Sequence, residues 1–212
     1  MNELVPTPLG DARVTRFPAV GKCRAVLMLG HGAGGGIEAP DLQVLAADLP
    51  KGGVEVALVE QPWRVAGKRL GPAPKTLDVA WRAVMEWWHV NAADDVPVFV
   101  GGRSAGARVA CRTGADTGAS GVLALAFPLH PPGKPESSRA DELLNSGLPT
   151  LVVQGATDPF GTAAEFPELP PSHRLVALPA GDHGFAVRKT QTPVLDDITR
   201  AVAEWIDGHA SQ

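Results

Sequence analysis

Residues 102–106 read Gly-Arg-Ser-Ala-Gly, a G-x-S-x-G string that follows the apolar run VPVFVGG at 96–102. A serine on a sharp strand-to-helix turn, with its hydroxyl exposed, is a nucleophile elbow. Glycine two residues to either side lets strand and helix approach without Cβ clashes. The hydroxyl of Ser104 is a weak nucleophile unless a general base takes its proton and a carboxylate orients that base. With such an elbow the partners follow in the order acid, then histidine. Downstream, LVVQGATDPFG sets Asp158 just past one apolar run, and HRLVALPAGDHGF sets His183 just past the next. The other histidines fit less well. His31 precedes the elbow, His89 sits near the end of a tryptophan-rich segment, His173 opens an apolar run and His209 lies in the tail. His130 follows a run but comes before Asp158. Asp182 adjoins His183, yet neighbouring loop side chains rarely face one another, so Asp158 is the expected acid.

The stretch HGAGGG at 31–36 offers a second chemistry. Backbone N–H groups in a glycine-rich turn can cradle a phosphate or an oxyanion. A phosphate loop of the Walker type needs a closing Gly-Lys-Ser/Thr, which this stretch lacks. Gly30, Gly32 and Gly35 do satisfy G-x-G-x-x-G, and Glu60 ends the next run. A nucleotide site would nevertheless leave Ser104, Asp158 and His183 without a role. In an oxyanion hole one N–H comes from the residue after the nucleophile and one from an earlier loop. Ala105 and Ala33 are the expected donors and substrate-binding groups, with Gly34 as the alternative to Ala33. Each such donor is worth roughly 3–4 kcal/mol of transition-state stabilisation.

These residues need a frame that brings them to one edge. Six short apolar runs, at 24–30, 54–60, 96–102, 121–128, 149–155 and 173–179, are near-continuously hydrophobic. Strands buried on both faces of a parallel sheet have that appearance. A more polar run, DARVTRFP at 11–18, reads as an edge strand. Between the runs, TLDVAWRAVMEWWHV places Leu77, Ala80, Trp81, Val84, Met85 and Trp88 on one helical face, with Thr76 as N-cap. The three tryptophans of that segment read as a core stripe. In TPVLDDITRAVAEWIDG, Thr192 caps, Pro193 takes the first position, and Val194, Ile198, Ala201, Val202 and Trp205 form the apolar face. Gly208 is the expected stop. Alternating strands and helices imply an α/β sandwich around a mainly parallel sheet, with helices on both faces. Ligands in such sheets bind at the carboxyl ends of the strands, where Ser104, Asp158 and His183 all fall.

The totals narrow the partners. The chain has 212 residues, expected to form a single domain over 1–212. A formal net charge of -4 with no basic run argues against nucleic acid. No apolar run reaches the roughly 18 residues of a membrane span, and the N-terminus lacks a signal-peptide pattern, so a cytoplasmic protein is expected. Cys23 and Cys111 stand in neither a CxxC pair nor a metal-ligand spacing and read as buried small hydrophobes. No metal or organic cofactor is implied. EQPWRVAGKR carries Gln61, Trp63 and Arg64 to the carboxyl edge, and Arg103 precedes the nucleophile. Those cations suit either an acidic substrate or a local carboxylate.

Taken together, GHGAGGG, EQPWRVAGKR, GGRSAGARVACR, FPLHPPGKPE, VVQGATDPFG and GDHGF resemble the alpha/beta-hydrolase superfamily, dienelactone-hydrolase-like in size. They are most similar to a branch of small predicted hydrolases that includes a non-specific-lethal chromatin-complex subunit. The resemblance runs from about residue 24 to the C-terminus. It implies an alpha/beta-hydrolase fold with little or no cap domain. Dienelactone hydrolases proper use a cysteine nucleophile, so their substrate does not carry over to Ser104. The expected function is a carboxylesterase-like serine hydrolase acting on a small-molecule ester or related acyl bond through Ser104, His183 and Asp158. The alternative is a catalytically silent scaffold that keeps the fold. The two separate on whether His183 reaches Ser104.

Overall fold

The computed structural model describes residues 2–92 and 96–210. Residues 1, 93–95 and 211–212 of the expected 1–212 unit lie outside the described residues. The six apolar runs form strands β3 (Ala25–Gly30), β4 (Val54–Glu60), β5 (Val98–Arg103), β6 (Gly121–Leu125), β7 (Thr150–Gln154) and β8 (His173–Ala177). Two further strands precede them, β1 (Asn2–Thr7) and β2 (Gly10–Phe17). The sheet order is β1-β2-β4-β3-β5-β6-β7-β8. All pairs from β4 to β8 are parallel, whereas β2 runs antiparallel to both β1 and β4.

The run at 11–18 is therefore not the edge. The polar N-terminal segment Asn2–Thr7 folds back on β2 and takes that place, with Val5, Ala12 and Val14 turned into the core. Only one side of this hairpin is buried, which is why its sequence alternates where β3 and β4 do not.

The short helices α2 (Pro62–Val65) and α5 (Ala140–Leu144) lie in the connections after β4 and β6. Helices α1 (Pro40–Asp48) and α6 (Leu195–Ala210) cover one face, packing Leu42, Leu45, Ile198, Val202 and Trp205 on Leu27, Leu29 and Phe99. The opposite face is covered by α3 (Pro74–Asn91) and α4 (Ala105–Thr113), with Trp81, Met85 and Trp88 against Val26, Met28 and Val100. The buried face of α3 is the six residues expected from the periodicity. Each large apolar side chain buried there contributes about 1.5–3 kcal/mol. The helix starts earlier than expected, with Pro74 at its first turn and Ala73 at the cap; Thr76 lies inside the helix. Helix α6 starts later, at Leu195, so Thr192 and Pro193 belong to the approach loop. Gly208 does not stop it. A glycine inside a helix costs only about 1 kcal/mol, less than the packing of Trp205 and Ile206 one turn before it supplies.

Strand order reverses at β3, which has β4 on one side and β5 on the other. A crevice opens at the carboxyl ends of such a pair. It is bounded here by the glycine-rich loop after Gly30 and by Ser104 after β5.

Candidate active site

The elbow is built by close packing of three glycines. A Cβ on Gly102 would lie 2.3 Å from the carbonyl oxygen of Gly30, and one on Gly106 would lie 2.4 Å from the same oxygen. Strand β5 and helix α4 can reach β3 only because both positions are glycine. Ser104 between them has φ 53 and ψ -107, outside the regions open to L-residues, and its N–H donates to Leu125 O at 2.9 Å. Such a conformation costs of order 1–3 kcal/mol and is held by surrounding structure.

His183 reaches this serine from the loop after β8. Its Nε2 lies 2.9 Å from Ser104 Oγ, and its Nδ1 lies 2.8 Å from Asp158 Oδ2. Asp158 enters from the loop after β7, with its side chain fully buried. Its Oδ1 accepts the Phe160 N–H at 2.8 Å, and its Oδ2 also accepts from Gln154 Nε2 at 2.9 Å. The Phe160 ring lies against the imidazole, centroids 4.2 Å apart. The histidine loop is tied internally, Asp182 Oδ1 accepting the N–H groups of Gly184 and Ala186. Asp182 is thus a turn former, as its position beside His183 suggests.

Gln154 is a residue that sequence reasoning passes over. It ends β7 fully buried, donating to Asp158 and to Gly161 O at 2.7 Å, and so locks the loop that carries the carboxylate. Its signal is a lone amide closing the apolar string LVV.

The two expected oxyanion donors lie beside the serine. Ala33, Gly34, Ser104, Ala105 and His183 line one cleft of about 450 Å³. Among the described residues, nothing accepts a hydrogen bond from the N–H of Ala33 or Ala105. His31 at the head of the loop is buried; its Nε2 accepts the Gln61 N–H at 3.1 Å, and burial pulls its pKa down, which favours the neutral ring this contact needs.

A second serine–histidine contact, Ser146 Oγ to His173 Nε2 at 3.1 Å, lies at the amino ends of β7 and β8, the opposite edge. Ser146 is buried and also bonded to Thr150 Oγ1, and its histidine shares Leu143 O rather than a carboxylate. His130 has a carboxylate, Glu165 Oε2 at 3.0 Å, but its other nitrogen faces Pro131 O and not a hydroxyl. Among the described residues, no group of three His, Cys, Asp or Glu side chains is placed to hold a metal ion. No helix among them is long and apolar enough to cross a membrane.

The cations singled out in the sequence face local carboxylates. Arg64 pairs with Glu38 at 3.2 Å. Arg103 donates from Nη2 to the carbonyl of His183 at 2.8 Å and sets Nε 3.7 Å from Asp41 Oδ2. Asp41 is fully buried at the start of α1, and burial pushes its carboxyl up to about 6 against the pull of Arg103. The folded state therefore holds this proton more tightly than the unfolded chain does. Stability from Asp41 is present at low pH and is lost as pH rises from 3.8 to about 6. Across that interval the Asp41→Asn variant should gain about 3 kcal/mol relative to wild type, measured as the difference between denaturant-unfolding free energies. Parallel pH curves for the two proteins would contradict the assignment.

Comparison with known proteins agrees with this architecture. The model of the alpha/beta hydrolase domain family matches residues 23–210. A lidless α/β serine hydrolase of Xanthomonas campestris is 21% identical, with 98% of this chain and 94% of that one covered at a TM-score of 0.73. A dienelactone hydrolase of Anabaena variabilis is 20% identical, covering 99% and 97% at 0.73. An esterase of Pyrococcus furiosus is 15% identical, covering 99% and 91% at 0.76.

Proposed function

Since this chain belongs to the alpha/beta hydrolase domain family, we propose that it is a serine hydrolase cleaving an ester or related acyl bond of a small molecule. The observation that carries the reading is the continuous contact from Ser104 Oγ through His183 to Asp158, 2.9 Å and 2.8 Å. A silent scaffold would be favoured by a His183 out of reach of Ser104, and the contact supports the enzyme instead. Ser104 Oγ attacks the acyl carbon while its proton passes to His183 Nε2. Asp158 stays ionised and stabilises the imidazolium. The Ala33 and Ala105 N–H groups bind the oxyanion. When the tetrahedral species collapses, His183 returns the proton to the departing alcohol oxygen and an acyl-Ser104 ester remains. Water then attacks that ester, giving its proton to His183, and the acid leaves as Ser104 recovers its own.

The acyl group has a place to lie. A cavity of about 200 Å³ adjoins Ala33 and Ala105, walled by Trp63, Leu77, Trp81 and Val109. Its size suits a short acyl chain. Labelling with a fluorophosphonate probe tests the reading: wild type should label and Ser104→Ala should not. A folded wild type that stays unlabelled would refute it.

A further inference from the structure

The cleft that holds Ser104 and His183 is walled by three arginines, Arg103, Arg108 and Arg139, and by no carboxylate. Two of them are committed elsewhere. Arg103 is tied to the His183 carbonyl and faces Asp41. Arg108 on α4 makes a bidentate pair with Glu142, 2.7 and 2.6 Å, and Glu142 also takes Arg112 at 2.9 Å. One carboxylate thus serves two guanidinium groups, and Arg139 has none. Its Nη1 donates to Pro128 O at 3.0 Å, and its backbone N–H donates to Leu129 O at 2.7 Å. These bonds fix its direction without neutralising it. Among the described residues, no ion pair is formed by Arg139. Partial burial and the neighbouring Arg108 both disfavour its charge and pull its pKa down, whereas Glu142 only partly offsets them. An oriented, half-buried guanidinium beside a nucleophile is a receptor for an oxyanion, which it can bind through two N–H donors.

The two cavities assign sides. Ala33 and Ala105 line both; from them the apolar one runs toward Trp63, Leu77 and Trp81 and holds the acyl chain, whereas the other opens toward Arg139, Phe160 and His183. His183 is the group that protonates the departing oxygen, so the alcohol leaves on the arginine side. Building on the serine-hydrolase reading above, we propose that the substrate is an ester of a short acyl group with an anionic alcohol, whose carboxylate or phosphate is held by Arg139 beside Arg108.

The experiment compares 4-acetoxybenzoate, 4-acetoxyphenyl phosphate and the neutral methyl 4-acetoxybenzoate, which share one acetyl group. Wild type should favour at least one of the anionic esters in kcat/KM by roughly 10- to 100-fold, the range set by a charged hydrogen bond. Which anion is preferred separates carboxylate from phosphate. The preference should reside in KM and shrink with added sodium chloride, because Coulomb attraction at a half-open site is screened. In Arg139→Gln the ratio of anionic to neutral kcat/KM should approach one, and in Arg139→Lys it should be intermediate. The salt series on wild type needs no variant and keeps the test intact if Arg139→Gln folds poorly. Cleavage of all three esters with equal kcat/KM would overturn the anion site and leave the serine hydrolase standing. Absence of turnover together with absence of fluorophosphonate labelling would overturn both.

Discussion

Replacing Ser104 with alanine should lower kcat on p-nitrophenyl acetate by a factor on the order of 10⁴ or more, because removing a nucleophile leaves only binding and oxyanion stabilisation. Its Oγ is the atom in contact with His183 Nε2, at 2.9 Å. Without it the imidazole has no proton to take, and the second serine–histidine contact, Ser146 with His173, cannot substitute from the opposite end of the strands. The variant should fold, since the demands at position 104 come from the backbone and alanine keeps the N–H that donates to Leu125 O. Unfolding curves should match wild type within about 1 kcal/mol, the usual scale for a small change that touches no core. A variant retaining more than about a tenth of the wild-type rate would place the nucleophile elsewhere, since even one lost oxyanion donor costs more than that.

The second large effect is expected at Asp158. Its Oδ2 accepts from both His183 Nδ1 and Gln154 Nε2, so this oxygen sees two donors and must be an acceptor. That requirement fixes the imidazole with its proton on Nδ1 and its lone pair on Nε2, toward Ser104. In Asp158→Asn, an amide nitrogen in the same place would meet two donors. An amide turned the other way would set that nitrogen against the Phe160 N–H instead. The first arrangement disfavours the productive tautomer, the second leaves two N–H donors facing one another beside Phe160, and both remove the charge that stabilises the imidazolium. A loss of about 10⁴ in kcat with little change in KM follows from that reasoning. A loss below about tenfold would show that Asp158 holds the loop together without orienting the base.

Much of this site is legible in the sequence because its determinants are local. Gly102, Ser104 and Gly106 sit within five residues, and the strand before them and helix after them are strongly patterned. Asp158 and His183 follow from chain order and from the rule that strand ends share an edge. The six buried positions of α3 follow from a period of 3.6. What escapes the sequence is what depends on distant partners. Nothing near Arg103 announces that Asp41, more than sixty positions earlier, lies 3.7 Å away. Arg108 and Arg112 both share Glu142 across a helix pair, and Arg139 is left over only after that sharing is known. The role of Gln154 depends on where Asp158 and Gly161 fold back. The start of α6 is misread for a related reason. Thr192 and Pro193 form a good local start signal, but the loop that carries His183 runs over 178–194, and the first helical hydrogen bond goes from the Ile198 N–H to Val194 O.

If Ser104 is acylated during turnover, the acyl-enzyme can be trapped. Wild-type protein mixed with p-nitrophenyl acetate, quenched in acid within the first turnover and digested, should yield one acetylated peptide, with the acetyl group mapped by mass spectrometry to Ser104. The same peptide from Asp158→Asn should acylate far more slowly, and from Ser104→Ala not at all. Acetate released by wild type with no acylated Ser104 at any quench time, or with the acetyl group on another residue, would rule out Ser104 as the nucleophile.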